Sequence, residues 1–190
     1  MLTRTYKIDN TNRVVLYMKG EYAFKSLYFS NPQQTPAPTT GSDHNSTIRF
    51  QSSSPGSVTV DWDDGNVETF QMQNNGSSYI IGWRCLDADY YKNPSSTGGG
   101  WGWGIDQSTG QYIKPLPNHH YTDGETRERH IIITFTCEDV YYFNSETVTM
   151  WSFPILELPA LQTLAMSYTS YINEIPFVRI SKVKNLTSLN

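Results

Sequence analysis

Charge is scarce in this sequence. Asp, Glu, Lys and Arg make up 17% of its 190 residues, below the roughly 25% of an average globular chain. Acidic residues outnumber basic ones, 18 to 14, for a formal net charge of −4. Such a chain lacks the general electrostatic hold on phosphate backbones that nucleic-acid binding needs. Arg127 and Arg129 flank Glu128 and follow Glu125, so they form no basic patch. Long apolar runs are also missing, and no membrane span is expected. Nor does the N-terminus carry the 7–15-residue apolar stretch of a conventional signal peptide, so export by that route is not expected. Cysteine is reduced to Cys85 and Cys137. They show neither CxxC nor zinc-type spacing, and one disulfide or two buried thiols fit equally well. Helical stripes are absent from residues 46–150.

What is abundant is aromatic and small polar residues. Tyr numbers 13, Phe 8 and Trp 5, which argues against disorder throughout. Short β-like segments follow one another. Residues 13–19 (RVVLYMK) and 22–29 (YAFKSLYF) are bounded by turn formers. Segment 1–30 is an attachment arm, or strands that pair with a later sheet. Residues 31–45, with three prolines, read as a linker. From residue 46 the alternation is clear. Ile48 and Phe50 share a face, as do Val58, Val60 and Trp62, and later Glu68, Phe70 and Met72. Asp63-Asp64-Gly65-Asn66 is a hairpin signal. Residues 79–83 and 130–136 are further strands. Between them, 86–120 reads as a Gly- and Trp-rich insertion. The expected fold is mainly β, a sandwich over 46–150.

The last stretch, 151–190, has another rhythm. Ile155, Leu158, Leu161 and Leu164 recur at every third position. Ile180, Val183, Leu186 and Leu189 repeat that pattern at a constant offset, the step from position 155 to position 180. The offset falls within the 20–29 residues of a leucine-rich repeat. About three repeats are needed to bury a solenoid core. The expectation is therefore that the chain continues past Asn190, or that a partner or the β domain covers the open end. A helix over Pro159–Ser167 is the alternative.

Candidate chemistry is thin. Asp61, Asp63, Asp64 and Glu68 suggest calcium, but counted from Asp61 the EF-hand positions 5, 6 and 12 hold Gly65, Asn66 and Met72, which fails the motif. Turn-shaping aspartates are the expectation, with no metal and no cofactor. His119 and His120 are adjacent and on a strand would face opposite ways, so they are poor joint zinc ligands with His130. No GxSxG elbow or assignable carboxylate pair is present, and no catalytic residue is expected. Trp101, Trp103 and Tyr112 form a candidate platform. They are either a binding surface for a sugar or a protein, or plugs that fold the insertion onto the sandwich.

The run Asp61-Trp62-Asp63-Asp64-Gly65 resembles the D-W-G-D-G turn of PKD-like domains, with Asp63 where that family prefers Gly. Residues 119–124, His-His-Tyr-Thr-Asp-Gly, and the strand at 131–135 resemble its later H-x-Y element. The resemblance covers about 90 residues. It implies an immunoglobulin-like sandwich in which Trp62 packs in the core and Asp61 and Asp64 shape the turn. Joined to a leucine-rich-repeat-like segment, it looks like surface proteins of gut Bacteroidetes and their phages. The function so implied is a non-enzymatic, tail-associated virion component assembled in the host cytoplasm. Its expected partners are other virion proteins and further copies of itself. The alternative is an adhesion module on a cell or particle surface, recognising a host glycan or protein.

Overall fold

A computed structural model describes residues 12–19, 47–84, 104–111, 113, 116, 119, 121, 128–146, 148–166, 170–171 and 186–189. The linker at 31–45, Cys85, His120, Trp101, Trp103, Tyr112, Ile180 and Val183 lie outside these residues, as does most of the insertion. Among the described residues there is no helix. Twelve strands form: β1 (Asn12–Lys19), β2 (Thr47–Ser52), β3 (Ser57–Asp61), β4 (Val67–Gln71), β5 (Gln73–Asn74), β6 (Tyr79–Arg84), β7 (Glu128–Phe135), β8 (Val140–Glu146), β9 (Thr149–Glu157), β10 (Thr163–Ala165), β11 (Ser170–Tyr171) and β12 (Ser188–Leu189).

They make two six-stranded sheets. The first has the order β11-β9-β1-β7-β3-β4 and the second β12-β10-β8-β2-β6-β5. The inward residues of both sheets meet in one core. Val14, Leu16, Val58, Val60, Ile131, Ile133 and Leu156 from the first join Ile48, Phe50, Ile81, Trp83, Phe143 and Leu164 from the second. Phe50 bridges the layers. Its ring stacks on Phe143 of its own sheet at 4.8 Å and meets Phe135 of the other edge-on at 5.0 Å. Each such buried side chain contributes about 1.5–3 kcal/mol. The period-2 alternation therefore decides which face of each strand turns inward.

Both sheets combine strands that are far apart in the sequence. β1 is inserted between β7 and β9, antiparallel to each. Residues 12–19, the described part of the segment read as an arm or as paired strands, form a strand of this sheet. The stretch after residue 150 is likewise built in. β9 pairs with β1, and β10 pairs with β8. Thr163–Ala165 is extended, which excludes the helix over Pro159–Ser167. The pairing there is parallel. Tyr142 pairs with Thr163, and Thr163 in turn with Ser188. In the other sheet Thr149 pairs with Ser170, a winding of the same length as that from Tyr142 to Thr163. From β8 onward the chain thus alternates between the sheets and adds one parallel strand to each per turn.

Candidate functional site

The densest cluster of polar and aromatic contacts surrounds the β3–β4 turn. Trp62 ends the inward-facing row of β3 and is 1% exposed. Two aspartates fold the chain back. The Asp61 carboxylate accepts from the Asp63 amide at 3.0 Å, and the Asp64 carboxylate from the Asn66 amide at 3.0 Å. These are Asx turns, the local geometry for which short acidic side chains are suited. The Trp62 amide then donates to the Asn66 carbonyl at 3.1 Å, closing the loop. Asp63 has φ of 64° and Gly65 of 91°. A left-handed backbone at Asp63 is the reason glycine suits this position. Aspartate tolerates it and adds a bond, because its carboxylate accepts from the His130 amide at 3.1 Å.

A second segment locks this turn from a distance. Tyr121 donates its hydroxyl to the Trp62 carbonyl at 2.8 Å. His119 lies parallel to the Trp62 indole, with ring centroids 4.6 Å apart, and its Nε2 is 2.7 Å from the Asp64 carboxylate. The Trp62 indole N–H donates to Glu68 at 2.7 Å. Beneath Tyr121 lies the guanidinium of Arg129, 4.1 Å from the ring centroid and fully buried. Burial raises the Asp64 carboxyl. Hydrogen bonds from His119 and from the backbone and side chain of Asn66 outweigh it and hold the group below its ordinary value. The two sequence segments that resemble a PKD-like domain are therefore in direct contact.

The opposite end of β3 has its own fastening. Asp139, in the β7–β8 connection, accepts hydrogen bonds from the hydroxyls of Ser52, Ser53 and Ser54. Burial again raises this carboxyl, and the three serines lower it further than burial raises it. Next to it, burial pushes the free Cys137 thiol up. Its sulfur lies 3.8 Å from that of Met72. Gly56 lies close by, and a Cβ there would sit 3.0 Å from the Cβ and Sγ of Cys137, a tight contact that the thiol would have to relieve. Sequence reasoning passed over Asp139. The serine run at 52–54 looks like a turn, and nothing local links it to a residue 85 positions away.

The two described histidines, His119 and His130, have different partners. His119 faces Asp64, whereas His130 pairs with Glu128 at 3.1 Å and meets Tyr17 edge-on. Among the described residues no group of three or more His, Cys, Asp or Glu side chains is placed to hold a metal ion. In the repeat-like stretch Leu158, Leu161 and Leu164 are buried and Ile155 is half-buried, while Leu186 is 37% exposed. Leu189 pairs with Leu164. No helix of the described residues is long and apolar enough to cross a membrane. Comparison with protein-family models, with curated proteins and with solved structures finds no match.

Proposed function

We propose that the chain is a non-enzymatic structural component of a phage virion, associated with the tail, acting through protein–protein assembly. The observation that carries the assembly part is the margin formed by β11 and β12. Among the described residues each is the outermost strand at one end of its sheet, with one neighbouring strand. An outer strand offers backbone donors and acceptors to a further strand, and each of the two sheets ends in such a strand among the described residues. Because the pairing that reaches these strands is parallel, a partner that continues it would add a parallel strand to either sheet.

The domain reading behind the virion setting is a PKD-like sandwich that passes into leucine-rich-repeat-like turns. Its first support is the contact of His119 and Tyr121 with the Trp62–Asp64 turn. Its second is that the parallel pairing of Leu164 with Leu189 has the same offset as the leucine pattern. Strand order supports the central part of an immunoglobulin-like arrangement. In that fold one sheet runs A-B-E-D and the other C-F-G. On this reading, β2 beside β6 would correspond to B beside E, and β3 beside β7 to C beside F. The A and G places would then fall to β8 and β1, the reverse of their order along the chain.

The test is location. Particles purified from cultures that produce the protein should contain it in fixed stoichiometry by quantitative mass spectrometry. Gold-labelled antibodies against it should mark the tail. Protein recovered from the cell envelope and missing from particles would overturn the virion assignment in favour of adhesion.

A further inference from the structure

Among the described residues β4, β5, β11 and β12 stand outermost in the two sheets, and β4 differs from the other three. It has five residues, against two in each of β5, β11 and β12. β5 is already engaged, because its Asn74 carbonyl accepts from the Gln107 amide at 2.8 Å. β4 pairs with β3 in an unbroken register, from Asp61–Val67 to Ser57–Gln71. Its sequence, VETFQ, holds no proline, lysine or arginine, and no bulge turns it away. Those are the devices that keep an edge strand from pairing with another chain. Val67, Glu68, Thr69 and Gln71 are exposed, Val67 by 60%.

Hydrogen bonds at the two ends of the hairpin show which way its backbone groups point. The Trp62 amide donates to the Asn66 carbonyl, and the Met72 amide to the Gly56 carbonyl. In an antiparallel pair such hydrogen-bonded positions alternate with non-bonded ones. Asn66, Glu68, Phe70 and Met72 therefore turn their backbone groups toward β3. Val67, Thr69 and Gln71 turn theirs outward, and among the described residues no hydrogen bond reaches those groups. The side chains of the same three residues share the outer face of the sheet. There the Thr69 hydroxyl lies 3.1 Å from that of Thr59.

From this pattern we infer that β4 is a homodimer edge: two copies of the chain join their first sheets by pairing β4 antiparallel to β4 about a two-fold axis at Thr69. The strand is complementary to itself in this register. Thr69 meets Thr69 of the second copy, and Val67 meets Gln71 of the second copy, each as a pair that exchanges two hydrogen bonds. All the outward N–H and C=O groups are satisfied at once. The one charge of the strand, Glu68, falls opposite Phe70 of the second copy and not opposite another Glu68, so like charges are kept apart. A threonine pair on the axis is a favourable cross-strand contact, and it prolongs the Thr59–Thr69 row into the second copy. An isologous contact of this kind is the commonest way in which identical chains associate. One strand per copy buries little area, so the dimer is weak and concentration-dependent. The inference needs neither the virion setting nor the margin formed by β11 and β12.

Thr69 provides the test, because only a residue on the axis faces its own copy. Full-length unsubstituted protein is followed by sedimentation velocity from about 5 μM to about 500 μM, the range of weak specific contacts. A monomer–dimer equilibrium is expected there. Thr69→Lys and Thr69→Glu each oppose two like charges at the axis, and each should weaken association about 10-fold or more. Thr69 is exposed, so neither change should disturb the fold, which circular dichroism checks. An equimolar mixture of the two variants sets Lys against Glu and should recover the dimer. Unsubstituted protein that stays monomeric to the highest concentration overturns the inference. So does association that persists undiminished in both variants, or that fails to return when the folded variants are mixed. If a variant misfolds, hydrogen exchange of the unsubstituted chain decides. The amides of Val67, Thr69 and Gln71 should exchange more slowly as concentration rises, and rates independent of concentration overturn the pairing.

Discussion

At the residue scale, the β3–β4 turn shows how a strained position is retained. Asp63 occupies left-handed space, at φ of 64°, which costs a non-glycine residue roughly 1–2 kcal/mol. It recovers part of this through the bond from the His130 amide. Asp63→Gly removes both the strain and the bond, so its stability should change by no more than about 1 kcal/mol. Asp63→Ala keeps the strain and loses the bond, and should unfold about 1–2 kcal/mol more easily than Asp63→Gly. Chemical denaturation of the two variants checks the order, and equal midpoints would contradict it. The inward row Val58, Val60 and Trp62 and the turn at 63–66 were legible in the sequence, because both are local patterns. The pairing of His119 with Asp64 was not, since 55 residues separate them. Only the resemblance to a two-part motif hinted that the segments belong together.

At the scale of elements, the leucine repeat is where pattern and packing can be compared position by position. Leu161 and Leu186 are equivalent positions in successive copies of the repeat. Leu161 is fully buried, whereas Leu186 is 37% exposed. Leu161 precedes β10, which has β8 on one side and β12 on the other, while Leu186 precedes the outermost strand β12. Equal spacing in sequence therefore does not give equal burial. Leu161→Ala should cost about 2–5 kcal/mol, the range for a large-to-small change in a core. Leu186→Ala should cost under ~1 kcal/mol, as surface changes do. Thermal unfolding of the two variants measures the contrast. Similar losses would mean that the second position is covered by something beyond the described residues. The spacing made the winding legible. It could not show that the winding continues the sandwich, because a constant offset in sequence says nothing about which strand β10 stacks on.

At the scale of the whole molecule, a mainly β, two-sheet architecture was readable from alternation and turn spacing. The place of β1 was not, because a strand's own pattern fixes its buried face and leaves its neighbours open. The two ends of β3 then suggest a property of the entire sandwich. Asp64 fastens one end and Asp139 the other, and both carboxyls are held below their ordinary value. In the unfolded chain each would titrate near 3.9. The folded state therefore binds fewer protons than the unfolded one as pH falls through this region. Stability from the two groups is complete above about pH 4 and declines as pH falls toward their folded values. The denaturation midpoint should accordingly drop as pH falls below about 4. Asp64→Asn combined with Asp139→Asn should lower stability at pH 7, by about 1–2 kcal/mol for each site. It should also flatten the acid dependence, since the titrating groups are gone. Denaturant unfolding of both proteins at a series of pH values tests this. An acid slope that persists undiminished in the double variant would place the acid sensitivity in other carboxylates and remove these two fastenings from the account.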